Sequence, residues 1–459
     1  MMGHKALFII PSAVYYQFRD KTLYAGVAYL AAVLEKIGVE VEIIDCRIQK
    51  GFKQKIIERL KNYSVICLSV NVATISSALD LANLIRDQSP KAKIIMGGPH
   101  PSVLYEKLIP KYADIVVIGE GEETIVELFQ SGSLSKVFGI AYWDDCVKVT
   151  PPRVFNDNLD ALPYPAWHLF DLKKYNFGGN VRATYAPLIT SRGCPWQCIY
   201  CTKLVHGTKI RLRSIDNVVE EIDYLKNRFD VKDIKIVDDN FTFYPERVKE
   251  FCNKIIAKRY KNIRFSLNNG IRADICDPEM FRLLKKIGCY EVLIAVESAS
   301  QEIQEKLGKK LDLSKVRKTV EEVRKTGMNA RLSFILGLPF DTKESMQETI
   351  NFSKSIPMEQ AFFFVAIPFP GTKFYEFVEK NGKFLCDLTY NSVSYSGKAV
   401  YELDQLKAKD VEKFYKRSYR EFYLRPGQIF RNLKKSNITS LRGLFQSVGY
   451  YLRRLFFSL

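Results

Sequence analysis

Ser191-Arg192-Gly193-Cys194-Pro195-Trp196-Gln197-Cys198-Ile199-Tyr200-Cys201 crowds three cysteines together directly after the apolar run 188–190. Cys194, Cys198 and Cys201 stand at C-x3-C-x2-C spacing. Three soft thiolates so placed suit an iron–sulfur cluster better than zinc. A closed structural zinc site takes four ligands, commonly as two separated pairs. No second pair exists here, and His206 is the candidate for a fourth zinc ligand. Three cysteines leave one iron of a [4Fe–4S] cluster without a protein ligand, the open position that a catalytic metal needs. A merely structural triplet is the alternative, and its place at a strand end argues against it.

Downstream, short apolar runs alternate with amphipathic helices. Strands are expected at 188–190, 234–237, 263–267, 291–296, 331–336 and 362–367. Val218, Ile222, Leu225 and Phe229 form one helical stripe. Asp277-Pro278 reads as an N-cap followed by proline at the first helical position, and Asp341 with Glu344 as a capping box. Six βα units in succession imply a partial (β/α) barrel whose chemistry lies at the carboxyl ends of its strands.

Upstream, apolar runs at 6–10, 39–44, 65–70, 94–96 and 115–118 alternate with helices. The first carries Val27, Leu30, Leu34 and Ile37 and stops at Gly38. Another presents Leu79, Ala82 and Ile85 and ends before Pro90. This pattern is an α/β doubly wound parallel sheet, with ligands beyond its carboxyl edge. The rhythm breaks after Ser131: 139–149 reads as a hairpin, and Pro151, Pro152, Pro163 and Pro165 stiffen a linker. The expected division is 1–133 doubly wound domain, 134–185 hairpin and linker, 186–385 barrel, and 386–459 basic helical region.

The composition, 459 residues with 47% apolar and 26% charged, excludes collagen, long coiled coils and wholesale disorder. No apolar run is long enough to span a membrane, and Met1–Ser12 is too short for a secretory signal. The other seven cysteines are scattered through apolar segments, as expected of a cytoplasmic protein. The net charge of +18 suits anionic partners or a lysine-rich solubilising surface.

The cysteine motif, with aromatic Tyr200 before its last cysteine, resembles the radical S-adenosylmethionine (SAM) superfamily. The resemblance implies that Cys194, Cys198 and Cys201 hold a [4Fe–4S] cluster whose open iron chelates SAM. Reductive cleavage then gives a 5′-deoxyadenosyl radical, with electrons from a donor such as flavodoxin or ferredoxin. It places SAM near Tyr200, Asp238, Asp239, Asn268, Arg272, Glu297 and Ser298 at successive strand ends. Helix capping for the aspartates and a salt bridge for Arg272 are the competing readings. Gly337-Leu338-Pro339 and Pro368-Phe369-Pro370-Gly371-Thr372 could line an adenine pocket or simply turn the chain.

Gly97-Gly98-Pro99-His100, Gly119-Glu120-Gly121-Glu122 and the linker Leu162-Pro163-Tyr164-Pro165-Ala166-Trp167 resemble cobalamin-binding domains that precede radical SAM barrels. The match is to the subfamily of anaerobic magnesium-protoporphyrin ester cyclases and hopanoid methylases. It implies cobalamin contacts at Ser69, Thr74, Gly97, Gly98, His100, Gly119, Gly121 and Glu122. Many such domains carry Asp-x-His-x-x-Gly after the first strand. Val14-Tyr15-Tyr16-Gln17-Phe18-Arg19-Asp20 has no histidine there, so cobalamin would lack histidine below cobalt, and a domain that binds none is the alternative.

The implied activity is cobalamin-dependent C-methylation of an unactivated carbon on a small or lipid-like molecule, or ring closure or carbon–carbon coupling on the same scaffold. A tRNA methylthiotransferase would need a second cluster from Cys46, Cys67 and Cys146, two of them on strands, so nucleic acid is not the expected partner. A non-catalytic corrinoid or electron-transfer module is the remaining alternative. Finally, Arg431, Lys434, Lys435, Arg442, Arg453 and Arg454 are interleaved with Leu441, Leu444, Phe445 and Val448 at helical spacing. That tail is expected either to pack on the barrel or to rest peripherally on an anionic membrane.

Overall fold

Aliphatic runs apolar on both faces build the first sheet, as buried parallel strands require. β1 (Lys5–Ile10), β2 (Glu40–Asp45), β3 (Val65–Ser69), β4 (Lys93–Gly97) and β5 (Ile115–Val117) pair in parallel in the order β2-β1-β3-β4-β5. β6 (Ile140–Asp144) and β7 (Cys146–Val149) extend the sheet antiparallel beyond β5. The expected hairpin is therefore part of the first sheet, and it covers the β5 edge that a boundary at 133 would leave open. The computed structural model describes residues 3–13, 21–175, 183–394 and 397–429. The segment 14–20 and the basic tail from Phe430 onward lie outside these residues.

Helices α1 (Ala25–Lys36), α2 (Phe52–Leu60), α3 (Ile75–Gln88), α4 (Pro101–Leu108) and α5 (Glu122–Gln130) connect these strands. Strand alternation sorts the core into two. Leu7, Ile9, Ile66 and Leu68 pack with Ile56, Ala78 and Ile85 of α2 and α3. Ala6, Phe8 and Ile10 pack with Ala28, Leu34, Ile125 and Leu128 of α1 and α5. This second cluster runs unbroken through Trp167 of the linker into the barrel core.

The barrel strands are β8 (Tyr185–Leu188), β11 (Asp233–Ile236), β12 (Arg264–Ile271), β13 (Cys289–Glu297), β14 (Asn329–Leu336) and β15 (Gln360–Val365). All run parallel in sequence order, and β8 does not pair with β15, so the barrel is open. Between β8 and β11, the ribbon of β9 (Ser191–Arg192) and β10 (Arg211–Leu212) closes the base of the cysteine loop. The first barrel strand thus begins earlier than its apolar run suggested. Thr190 instead leads into the ribbon.

The barrel helices are α6 (Ile215–Phe229), α7 (Pro245–Lys258), α8 (Pro278–Lys286), α9 (Gln301–Lys306), α10 (Ser314–Lys325), α11 (Lys343–Ser355) and α12 (Lys373–Asn381). Asp277 caps α8 by accepting from Met280 N at 2.9 Å. The capping box of α11 is Thr342 with Ser345, one residue beyond the expected Asp341–Glu344 pair. Asp341 is buried instead, accepting from Gly337 N, Leu338 N and the Ser345 hydroxyl.

After the ribbon β16 (Gly382–Phe384) and β17 (Tyr401–Leu403), α13 (Ala408–Tyr423) lies along the free edge of β15. Tyr419 and Tyr423, stacked one turn apart, each place a hydroxyl on that edge. The Tyr423 hydroxyl accepts from Ala361 N at 3.2 Å and donates to Ala361 O at 2.8 Å. Tyr419 does the same for Phe363 at 3.3 and 3.2 Å. Two side chains thus satisfy backbone groups that a seventh strand would otherwise pair.

Candidate active site between two facing sheet edges

The loops at the carboxyl edge of the doubly wound sheet meet the 389–393 segment between β16 and β17. Val393 N donates to Val72 O at 3.2 Å, and His100 Nε2 lies 3.0 Å from Thr389 O. Ser76 and Ser392 exchange two hydrogen bonds. A Cβ on Gly371, after β15, would stand 2.7 Å from a Val103 methyl. The carboxyl edge of the doubly wound sheet therefore looks onto the mouth of the barrel.

At that mouth the cysteine loop is held from every side. Gly193 has φ +92°, and a Cβ there would lie 2.1 Å from Lys209 O, so only glycine fits. Its N–H donates to Asp239 Oδ2 at 2.8 Å, and the same oxygen lies 2.9 Å from His206 Nδ1. Asp238 accepts from Thr190 N and from the hydroxyls of Thr190 and Ser191 at 2.6–2.7 Å. Burial pushes its carboxyl up, opposed by those bonds. Ile199 N donates to Leu307 O, and Ile199 O accepts from Phe374 N. Both aspartates are thus spent on fixing the loop, and Asp239 also occupies the histidine considered for zinc.

Arg272 is likewise engaged within the protein. It forms a bidentate pair with Asp274, donates to Lys309 O and Lys310 O, and lays its guanidinium 3.6 Å from the Trp196 ring centroid. It ties the cysteine loop to the 309–310 turn. From that turn Lys309 reaches Glu297 at 3.2 Å, and both side chains are buried. Glu297 ends β13 with φ +71°, a left-handed conformation that costs a non-glycine residue about 1–3 kcal/mol. Such strain persists where surrounding contacts over-determine it. Burial, the Glu297 carboxylate and the thiols of Cys198 and Cys201 push the Tyr200 phenol well up, so these groups are neighbours. The Ser298 hydroxyl accepts from Ser300 N at 3.3 Å.

Asn268 lies deeper, donating to Ser266 at 2.7 Å with its oxygen 3.5 Å from Arg331. Arg331 pairs with Glu291 at 2.8 Å, and Lys235 pairs with Asp233 at 3.2 Å, giving the barrel a charged floor. Above it, the register puts Leu293, Ala295, Ser333, Ile335, Phe362 and Phe364 on the lumen face. Leu293, Ala295, Ile335 and Phe364 are only half-buried, whereas their outward neighbours Ile294, Phe334 and Phe363 are fully buried. The sequence reading passed over this lumen wall, as well as Lys309. Two-residue alternation marks both faces of a buried strand as apolar, and only the pairing register tells which one faces the cavity.

On the opposite edge, Ser69 ends β3 and the Thr74 hydroxyl accepts from Asn71 N at 2.9 Å in the turn that follows. Gly97 ends β4 and Gly119 follows β5 with φ +81°. Gly98, with φ +109°, is required by the protein's own packing, whereas Gly121 only abuts a leucine methyl. A Cβ at Gly98 would be 2.4 Å from Val70 O, and one at Gly121 would be 3.0 Å from Leu30 Cδ2. His100 and Glu122, expected to touch cobalamin, make contacts between the two halves. Glu122 pairs with Arg192 at 2.6 Å. All four histidines of the chain are accounted for: His4 lies ahead of β1, His168 pairs with Glu35, and His100 and His206 are bound as above.

The thiols of Cys194, Cys198 and Cys201 are free. Among the described residues no three His, Cys, Asp or Glu side chains converge as one metal ion would require. The donor set fits a multi-iron cluster, which takes one thiolate per iron. Among the described residues, Asn240 Oδ1 and Trp196 Nε1, buried in the segments around the mouth, have no protein partner. They leave polar capacity for a ligand.

The chain matches the family model described as the radical SAM superfamily over residues 188–353, and the B12 binding domain over residues 18–129. It is 29% identical to an uncharacterized methyltransferase of Pyrococcus horikoshii, over 89% of each chain. It is 27% identical to the cytidylyl-2-hydroxyethylphosphonate methyltransferase of Streptomyces wedmorensis, over 80% of each. In fold it matches the cobalamin-dependent S-adenosylmethionine radical enzyme OxsB with a TM-score of 0.72 at 18% identity, covering 99% of this chain and 71% of that one. The magnesium-protoporphyrin cyclases and a hopanoid methylase, to which the sequence pointed, are also among its relatives. A B12-binding domain is thus followed by a radical SAM domain, and the chain is a radical SAM enzyme.

Proposed function

We propose that the protein is a cobalamin-dependent methyltransferase acting on an unactivated carbon. One observation carries the reading: the carboxyl edge of the doubly wound sheet is held beside the cysteine loop, by Glu120 on Arg211 and Glu122 on Arg192 and by the approach of Gly119, whose Cβ position lies 3.4 Å from Leu204 O. When bound, the cluster and SAM supply a 5′-deoxyadenosyl radical and cobalamin supplies a methyl group. Cys194, Cys198 and Cys201 would hold the cluster, and Asp238, Asp239 and Arg272 keep their loop in place. Asn240 and Glu297 remain as polar groups toward SAM. Ser69, Gly97 and Gly119 border the cobalamin edge. No histidine is available below cobalt.

The half-buried Leu293, Ala295, Ile335 and Phe364 favour a small substrate with an apolar, lipid-like portion. A cytoplasmic site and a low-potential donor such as flavodoxin or ferredoxin fit the chemistry. Among the described residues no helix is long and apolar enough to cross a membrane. Anaerobic turnover with candidate substrates, hydroxocobalamin and SAM tests the reading. Methylation predicts a product heavier by one CH2 and a cobalamin spectrum without histidine ligation. A product lighter by two hydrogens, with no carbon added, would assign ring closure. Failure of the full chain to retain cobalamin would overturn the methyltransferase assignment.

A further inference from the structure

A buried charge network joins the two halves at the base of the cysteine loop. The ribbon sets Arg192 opposite Arg211, and both guanidiniums turn to the β5–α5 connection. Arg211 donates to the two carboxylate oxygens of Glu120 at 2.8 and 2.7 Å. Arg192 reaches Glu120 at 3.1 Å and Glu122 at 2.6 Å. The four side chains are 1–11% exposed. Aromatic rings hold the guanidiniums further: Arg192 lies over Tyr29 of α1, and Arg211 over Phe155 of the linker.

Two positive and two negative charges balance. Buried ion pairs rarely add net stability over apolar packing, but leaving one partner alone is strongly unfavourable. Such a network therefore fixes register more than it adds stability. Here it fixes the strand that ends just ahead of Cys194. Glu122, expected as a cobalamin contact, and Glu120 both direct their carboxylates to the arginines of the ribbon.

We propose that Glu120 and Glu122 are positioning residues for the cluster. Through Arg192 and Arg211 they lock the cysteine loop to the amino-terminal domain, and they neutralise the positive charge beneath it. The proposal rests on the reading of Cys194, Cys198 and Cys201 as cluster ligands.

The test is a redox titration of the reconstituted full-length protein, followed by electron paramagnetic resonance without cobalamin or substrate. Glu120→Gln leaves the guanidiniums under-compensated, and nearby positive charge favours the reduced cluster, so the midpoint potential rises. Glu120→Gln combined with Arg211→Gln restores the balance and returns the potential toward wild type. Glu123→Gln, three residues on and paired with Arg153 at the surface, leaves it unchanged. The double variant decides if the single one fails to fold. An unchanged potential in folded Glu120→Gln, or a double variant that does not return, overturns the clamp. Wild-type protein that takes up no cluster overturns the cluster reading itself, and the clamp with it.

Discussion

Gly193 is the residue on which the cysteine loop turns. Its φ of +92° and the 2.1 Å approach of a would-be Cβ to Lys209 O leave no room for a side chain. Gly193→Ala should break the Asp239 bond to its N–H and cost more than about 2 kcal/mol. The expected readout is loss of iron after anaerobic reconstitution, with the far-ultraviolet circular dichroism retained. Asp341 offers a pH signature. Burial raises its carboxyl from 3.8 to about 6, against the bonds from Ser345, Leu338 and Gly337. A raised folded-state pKa means that the proton-bound form is favoured in the fold. Its stabilisation is therefore present below about pH 4 and lost as pH rises through about 6, on the order of 3 kcal/mol. Asp341→Asn should flatten the urea-midpoint profile between those values. An unchanged slope would show that Asp341 does not titrate there. At this scale the sequence revealed residue types but not their partners. Asp238, Asp239, Arg272 and Glu122 all stand at the mouth, yet each is bonded to the protein. A carboxylate at a strand end looks the same in sequence whether it awaits a ligand or caps a loop.

Alternation of strands and helices was legible because each element has its own period. The ribbon of β9 and β10 was not, because two-residue strands carry no period. The role of α13 was also hidden. The sequence marked residues 386–459 only as a basic helical region, whereas Tyr419 and Tyr423 serve as hydrogen-bond partners for the free edge of β15. Removing one hydroxyl leaves a buried N–H and C=O unpaired, at about 1–3 kcal/mol. Tyr423→Phe and Tyr419→Phe should each lower the urea midpoint, and the double variant should associate in solution through the uncovered edge. Wild-type stability in the double variant, with no association by light scattering, would contradict the sealing role.

The molecule as a whole is two sheets whose carboxyl edges face each other. The order of the domains is readable in the sequence, but their mutual orientation is not. It rests on pairs such as Glu120 with Arg211, His100 with Thr389 and Ser76 with Ser392, which lie 91 to 316 positions apart. No local pattern announces bonds of that range. That orientation matters because it brings one sheet edge beside the loop of the three cysteines, and the central claim is that those cysteines hold a cluster that cleaves SAM. Anaerobic reconstitution of wild-type protein and of Cys194→Ala/Cys198→Ala/Cys201→Ala, followed by reduction with SAM present, measures this directly. The wild type should carry one [4Fe–4S] cluster and release 5′-deoxyadenosine, while the variant carries none and releases none. A variant that retains a normal cluster, or a loaded wild type that forms no 5′-deoxyadenosine, would contradict it.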